Sequence, residues 1–232
     1  MLCRSRVVWC WCSSPSWERS GCLDLSGDGE KGCLVAGDAI SVLGHSQGAE
    51  FVPLLLDHDP TLRSGIMVAG PFNPIDQILE HQLNATIELL LENGMTESDA
   101  AAIPSVAAVA TPVDGVAAIR DGGDQSVGGA SAVFWRSWID LNERSRTAAQ
   151  RLTRPVLIIG GSLDWNVSPT ETNSWAEHLT AAGVDHTATV LPCITHALNC
   201  VDESDPQSMT PEDIGTHVHD SVTDEIIAFL GP

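Results

Sequence analysis

The sequence is short of basic residues and almost without lysine. Lysine and arginine number 11 against 31 aspartates and glutamates, Lys31 is the single lysine, and the formal net charge is −20. Such a surface repels phosphate backbones and argues against a nucleic-acid partner. A self-repelling acidic surface is tolerated where salt screens it, which points to a high-salt source. Long hydrophobic runs are missing as well. No apolar stretch approaches the ~20 residues that a membrane-spanning helix needs. Hydrophobic residues still make up 43% of the 232 residues, enough for a packed core in one domain or two. A cytoplasmic location is the expectation.

Residues 1–36 differ from the rest. They hold four basic and four acidic residues, so the whole negative charge lies downstream. Cys3, Cys10, Cys12, Cys22 and Cys33 cluster here with Trp9, Trp11 and Trp17. Neither a helical nor an alternating period is visible. The apolar run Val7–Cys12 falls short of the ~7–15 residues of a signal-peptide core. Cys10 and Cys12 lack the two-residue spacer of a zinc knuckle, and no histidine lies nearby. The stretch reads as an irregular leader, 1–36, in place of a lost N-terminus, for example after a reading-frame shift. A domain at 37–232 follows it.

Ile40–Leu43 is a short β-favouring run. It leads into Gly44-His45-Ser46-Gln47-Gly48, and Ala49–Leu56 then reads as a buried helix bent or ended early by Pro53. This is G-x-S-x-G between a strand and a helix. The turn needs glycine because backbones come close there, and it lifts the serine hydroxyl to the top of a sheet.

A serine needs a base to take its proton and an acid to orient that base. In this arrangement the chain order is serine, acid, histidine. Pro155–Gly160 reads as a buried strand, and Asp164 sits in the loop beyond its carboxyl end, where α/β sheets collect functional groups. Ser168-Pro169-Thr170-Glu171 reads as a capped helix start with proline at N1 and glutamate at N3. A strand at 187–191 precedes the loop that carries His196. Among eight histidines His196 alone follows the last strand. His45 is expected to pack inside the turn, and His217 and His219 to lie solvated on a last helix opened by Thr210–Asp213, with Ile214, Val218, Val222 and Ile226 as its buried stripe. Cys193 and Cys200, flanking His196, read as loop packing rather than metal ligands.

At this point the blocks GHSQGAE, MVAGPFNPIDQILEHQ, FWRSWIDLN, RPVLIIGGSLDWNV and LPCITHALN, in that order, resemble the α/β-hydrolase superfamily and its EstD-like carboxylesterase branch over about 38–230. The resemblance implies an α/β fold with a mostly parallel sheet and a helical cap inserted at about 71–153. It implies hydrolysis of a small-molecule carboxylic ester, with Ser46 as nucleophile, Asp164 as acid, His196 as base and the Gln47 N–H as an oxyanion donor. No cofactor and no metal are implied. Phe134, Trp135 and Trp138 would pack in the cap or line an acyl pocket. Family members carry strands before the nucleophile strand and a second oxyanion donor after the third. No such pattern is visible upstream of Ser46. A sheet of about four strands, an open edge at the nucleophile strand and weak activity are therefore expected. A catalytically impaired fragment, or a serine peptidase or acyltransferase of the same fold, stands as the alternative.

Overall fold

A computed structural model of the chain describes residues 6–10, 22–24, 40–201 and 217–231. Six strands form one sheet: β1 (Arg6–Cys10), β2 (Cys22–Asp24), β3 (Ile40–His45), β4 (Ser64–Val68), β5 (Val156–Gly161) and β6 (His186–Leu191). Their order is β2-β1-β3-β4-β5-β6. β2 joins β1 antiparallel, and every other pair is parallel. β4 and β5 are buried along their whole length. That is why Val156–Ile159 is a continuous apolar run and not an alternating one.

The sheet corrects the sequence reading at its start. Among the described residues six strands are present where about four were expected, and two come from the stretch read as irregular. β1 lies along β3 in register Arg6↔Ile40 to Trp9↔Leu43, so β3 has a neighbour on each side and is not an open edge. The reason is physical. A strand held by parallel pairing needs apolar, β-favouring residues but no alternation, and Val7-Val8-Trp9-Cys10 supplies them in too short a run to show a period. The rest of the leader lies outside the described residues.

Helices cover both faces. α1 (Phe51–His58) and α6 (Pro169–Ala182) pack Val52, Leu56, Trp175 and Leu179 against Val42, Met67, Val156 and Ile158. On the other face Leu43, Ile66, Val68, Leu157 and Ile159 meet Val222 of α7 (Asp220–Leu230). α7 starts later than the sequence suggests. His219 is its N-cap, accepting the Ser221 N–H on its ring, so His217, Val218 and His219 precede the helix. The expected start at Thr210–Asp213, with Ile214, lies outside the described residues. Proline at position 53 is also accommodated differently. Ser46–Glu50 is a 3₁₀ turn, and α1 begins at Phe51, which places Pro53 in a first turn where no N–H is needed.

Between β4 and β5 run α2 (Ile75–Glu92), α3 (Glu97–Ala102), α4 (Pro104–Arg120) and α5 (Ala132–Ala149). α3 and α4 are separate helices because Pro104 cannot continue α3 and instead opens α4. Ile75, Ile78, Val116, Ile119, Val127 and Trp135 form a separate apolar core. α5 belongs to both layers. Its first half, with Trp135, packs in this cap, and Ala149 at its end packs under the sheet. Among the described residues no helix is long and apolar enough to cross a membrane.

Candidate active site

The chain leaves β3 through a tight turn at Ser46. Its φ is +55°, a left-handed conformation that a residue with a Cβ rarely adopts. The turn closes because Gly44 has no side chain: a Cβ there would lie 2.2 Å from the Gly48 carbonyl oxygen. Ser46 thereby stands directly beyond the carboxyl end of β3, at the start of the 3₁₀ turn.

Two further loops reach that edge. After β5, Asp164 is buried, 3% exposed. Its Oδ1 accepts the N–H groups of Asn166 (3.0 Å) and Val167 (2.8 Å), which fixes the carboxylate plane. After β6, residues 193–201 fold back on themselves as a small hairpin. Ile194 bridges Cys200, Val201 N–H donates to Cys193 O, and a disulfide joins Cys193 to Cys200. That bond replaces the loop-packing role expected of the two cysteines, and spacing alone does not reveal it. Gly161 lets the two loops touch, since a Cβ there would stand 2.2 Å from the Ile194 carbonyl oxygen.

The three side chains meet. His196 Nδ1–H donates to Asp164 Oδ2 at 2.9 Å, and Ser46 Oγ lies 3.0 Å from His196 Nε2. A hydrogen-bonded line of hydroxyl, imidazole and carboxylate is thus assembled from the segments after β3, β5 and β6, in that chain order. The chain has the α/β-hydrolase fold.

Within this fold His45 packs beside the site. Its Nε2–H donates to the His196 carbonyl oxygen at 2.9 Å, and the two rings lie 5.0 Å apart. Burial holds its pKa below the ordinary histidine value, helped by the neighbouring His196. Gln47 is the second residue of the 3₁₀ turn, among the first-turn N–H groups that have no acceptor within their own helix. Trp165 stands exposed beside Asp164. Parallel pairing brings the carboxyl end of β1 to the same sheet edge as Ser46.

Behind the site lies a buried polar chain that the sequence does not announce. Glu50, 1% exposed, accepts Trp138 Nε1–H and an Asn142 side-chain N–H, each at 3.0 Å. Burial pushes its pKa up to about 7, against the pull of those two donors and of Arg146. Asn142 also donates to the carbonyl oxygens of Phe72 (3.0 Å) and Asn73 (3.3 Å). Glu171 does not close a capping box at its own helix. Its carboxylate instead accepts the Phe72 and Asn73 N–H groups, both at 2.7 Å, and the Asn73 amide at 2.8 Å. From the cap, Gln82 donates to the Asn166 carbonyl oxygen in the acid loop at 2.9 Å.

No protein-family model matches the chain. Esterase EstD of Thermotoga maritima is 28% identical over 141 residues, which is 60% of this chain and 31% of that protein. The chain thus spans under a third of the length of this curated relative. Among solved structures, the Pyrococcus furiosus esterase Pf2001 superposes with a TM-score of 0.42 and 15% identity, over 81% of this chain and 52% of its own. The acylaminoacyl peptidase of Pyrococcus horikoshii gives 0.42 and 14%, over 70% and 20%.

Proposed function

We propose that the protein is a serine hydrolase that cleaves small carboxylic esters through an acyl-enzyme. The observation that carries this reading is the hydrogen-bonded line Ser46 Oγ, His196 Nε2, His196 Nδ1 and Asp164 Oδ2. In the first half-reaction Ser46 Oγ attacks the ester carbonyl carbon while its proton passes to His196 Nε2. Collapse of the tetrahedral intermediate breaks the C–O bond, and the same proton leaves with the alcohol. Water then repeats the sequence and releases the acid. Asp164 keeps the Nδ1 tautomer and stabilises the imidazolium.

The Gln47 N–H is the oxyanion donor next to the nucleophile. In this fold the second donor comes from the loop leaving the strand beside the nucleophile strand. β1 holds that sheet position, so the second donor is to be sought among the residues that follow Cys10 in the sequence. The esterase name of the partial relative supports ester hydrolysis over peptide hydrolysis. The triad alone does not choose the acyl acceptor. A cytoplasmic location is part of the proposal, with the Cys193–Cys200 disulfide as the feature weighing against it, since such bonds favour oxidising compartments.

The test is hydrolysis of p-nitrophenyl acetate by the full chain and by Ser46→Ala. Loss of the nucleophile is expected to lower kcat about 10⁶-fold. Equal turnover by both proteins would exclude the reading.

A further inference from the structure

We infer that Glu50 is a positioning residue that fixes the cap relative to Ser46 and thereby sets the affinity for esters large enough to touch the cap. The inference rests on Ser46 being the nucleophile. Glu50 closes the 3₁₀ turn that Ser46 opens, so one rigid turn carries both. A buried carboxyl is costly to place unless its hydrogen bonds are met. Here both oxygens are engaged, and both donors, Trp138 and Asn142, lie on α5.

Each donor passes the constraint on. The Trp138 ring stacks parallel to Trp135, with centroids 5.8 Å apart, and meets Phe134 edge-on at 5.9 Å. Fixing its indole N–H therefore fixes the aromatic end of the cap. Asn142 grips Phe72 and Asn73, the segment by which the chain passes from β4 into the cap. That segment makes its polar contacts with side chains: Trp175 donates to the Pro71 carbonyl oxygen, and Glu171 takes the two N–H groups that follow. Gly70, just before it, packs so close to the turn that a Cβ would lie 2.6 Å from Ala49 Cβ. The entry to the cap is thus clamped between Glu50, through Asn142, on the nucleophile side and Glu171 on the acid-loop side. Glutamine at 50 keeps one acceptor oxygen and turns an N–H₂ toward the other donor, so with Trp138 and Asn142 oriented as they are one of the two ties is lost.

The experiment compares the wild type, Glu50→Gln, Trp138→Phe and the double variant. KM and kcat are measured on p-nitrophenyl acetate and p-nitrophenyl octanoate, alongside the rate of Ser46 labelling by a small fluorophosphonate. Glu50→Gln is expected to raise KM for the octanoate about tenfold, the size of one lost hydrogen bond to a charged group. Its labelling rate and its acetate kcat should change less than about threefold. Trp138→Phe should act in the same direction, and the double variant should add little, because one tie is broken in both. Hydrogen exchange needs no turnover: α2 and α5 amides should exchange faster in Glu50→Gln, and β4 and β5 amides should not. A wild type that does not label defeats the esterase reading and leaves the exchange result to decide Glu50. Unchanged KM values with unchanged exchange in α2 and α5 overturn the inference. So does an equal fall of labelling and of kcat on both esters, which would place Glu50 in the chemistry of the nucleophile itself.

Discussion

Replacing Glu50 by glutamine should change how stability depends on pH. The carboxyl is 1% exposed, and burial raises its pKa from 4.5 to about 7. The folded state therefore binds the proton more tightly than the unfolded chain does. Its contribution to stability is fully present below about pH 4.5 and is lost as pH rises through about 7. A shift of this size corresponds to roughly 3 kcal/mol. Glutamine cannot ionise, but it turns an N–H₂ toward one of the donors Trp138 and Asn142 and loses that hydrogen bond, at a cost of ~1–3 kcal/mol at every pH. The variant should thus be the less stable protein at pH 5 and draw level with the wild type, or overtake it, by pH 8. Urea unfolding at both pH values, in one salt concentration, gives the two differences. Subtracting them removes every other titrating group, His45 included. Parallel pH curves for the two proteins would show that the carboxylate ionises in the fold without penalty, and would refute the argument.

Breaking the Cys193–Cys200 disulfide should loosen the loop that carries His196. Closing so short a loop is worth about 2.5 kcal/mol by chain entropy, or roughly 5–10 °C in Tm for a chain of this size. The double cysteine-to-serine variant, followed by differential scanning calorimetry and ester hydrolysis, should show that drop together with a lower kcat. An unchanged Tm and kcat would mean that the hairpin hydrogen bonds hold His196 unaided. The formal charge of −20 should make stability rise with sodium chloride, because screening relieves self-repulsion. A Tm that falls between low and molar salt would remove the high-salt reading.

The parts of the site legible in the sequence are those set by local patterns. Gly44, Ser46 and Gly48 announce a turn that only small residues can close, and the structure shows that closure at Gly44. Asp164 and His196 follow apolar strand runs, so their arrival at one sheet edge can be read before any contact is known. What escapes is decided at a distance. β1 exists because β3 offers it a parallel partner, and no period within Arg6–Cys10 records that. Glu171 sits where a capping box would use it, yet the Phe72 and Asn73 N–H groups, about a hundred residues away, outbid its own helix start. Nothing in the sequence marks Glu50, at the end of the 3₁₀ turn, as the acceptor for Trp138 and Asn142 some ninety residues away. Cys193 and Cys200 are joined by a hairpin whose closure depends on Cys193 and Leu198 adopting positive φ, which neither residue type suggests.

The central claim, that Ser46 is a nucleophile activated by His196 and Asp164, is tested most directly by covalent labelling. The full chain is incubated with a fluorophosphonate and digested, and the modified peptide is identified by mass spectrometry. The account predicts one adduct, on Ser46, absent from Ser46→Ala and strongly slowed in His196→Ala. An adduct on another residue, or equal labelling of Ser46 without His196, would contradict it.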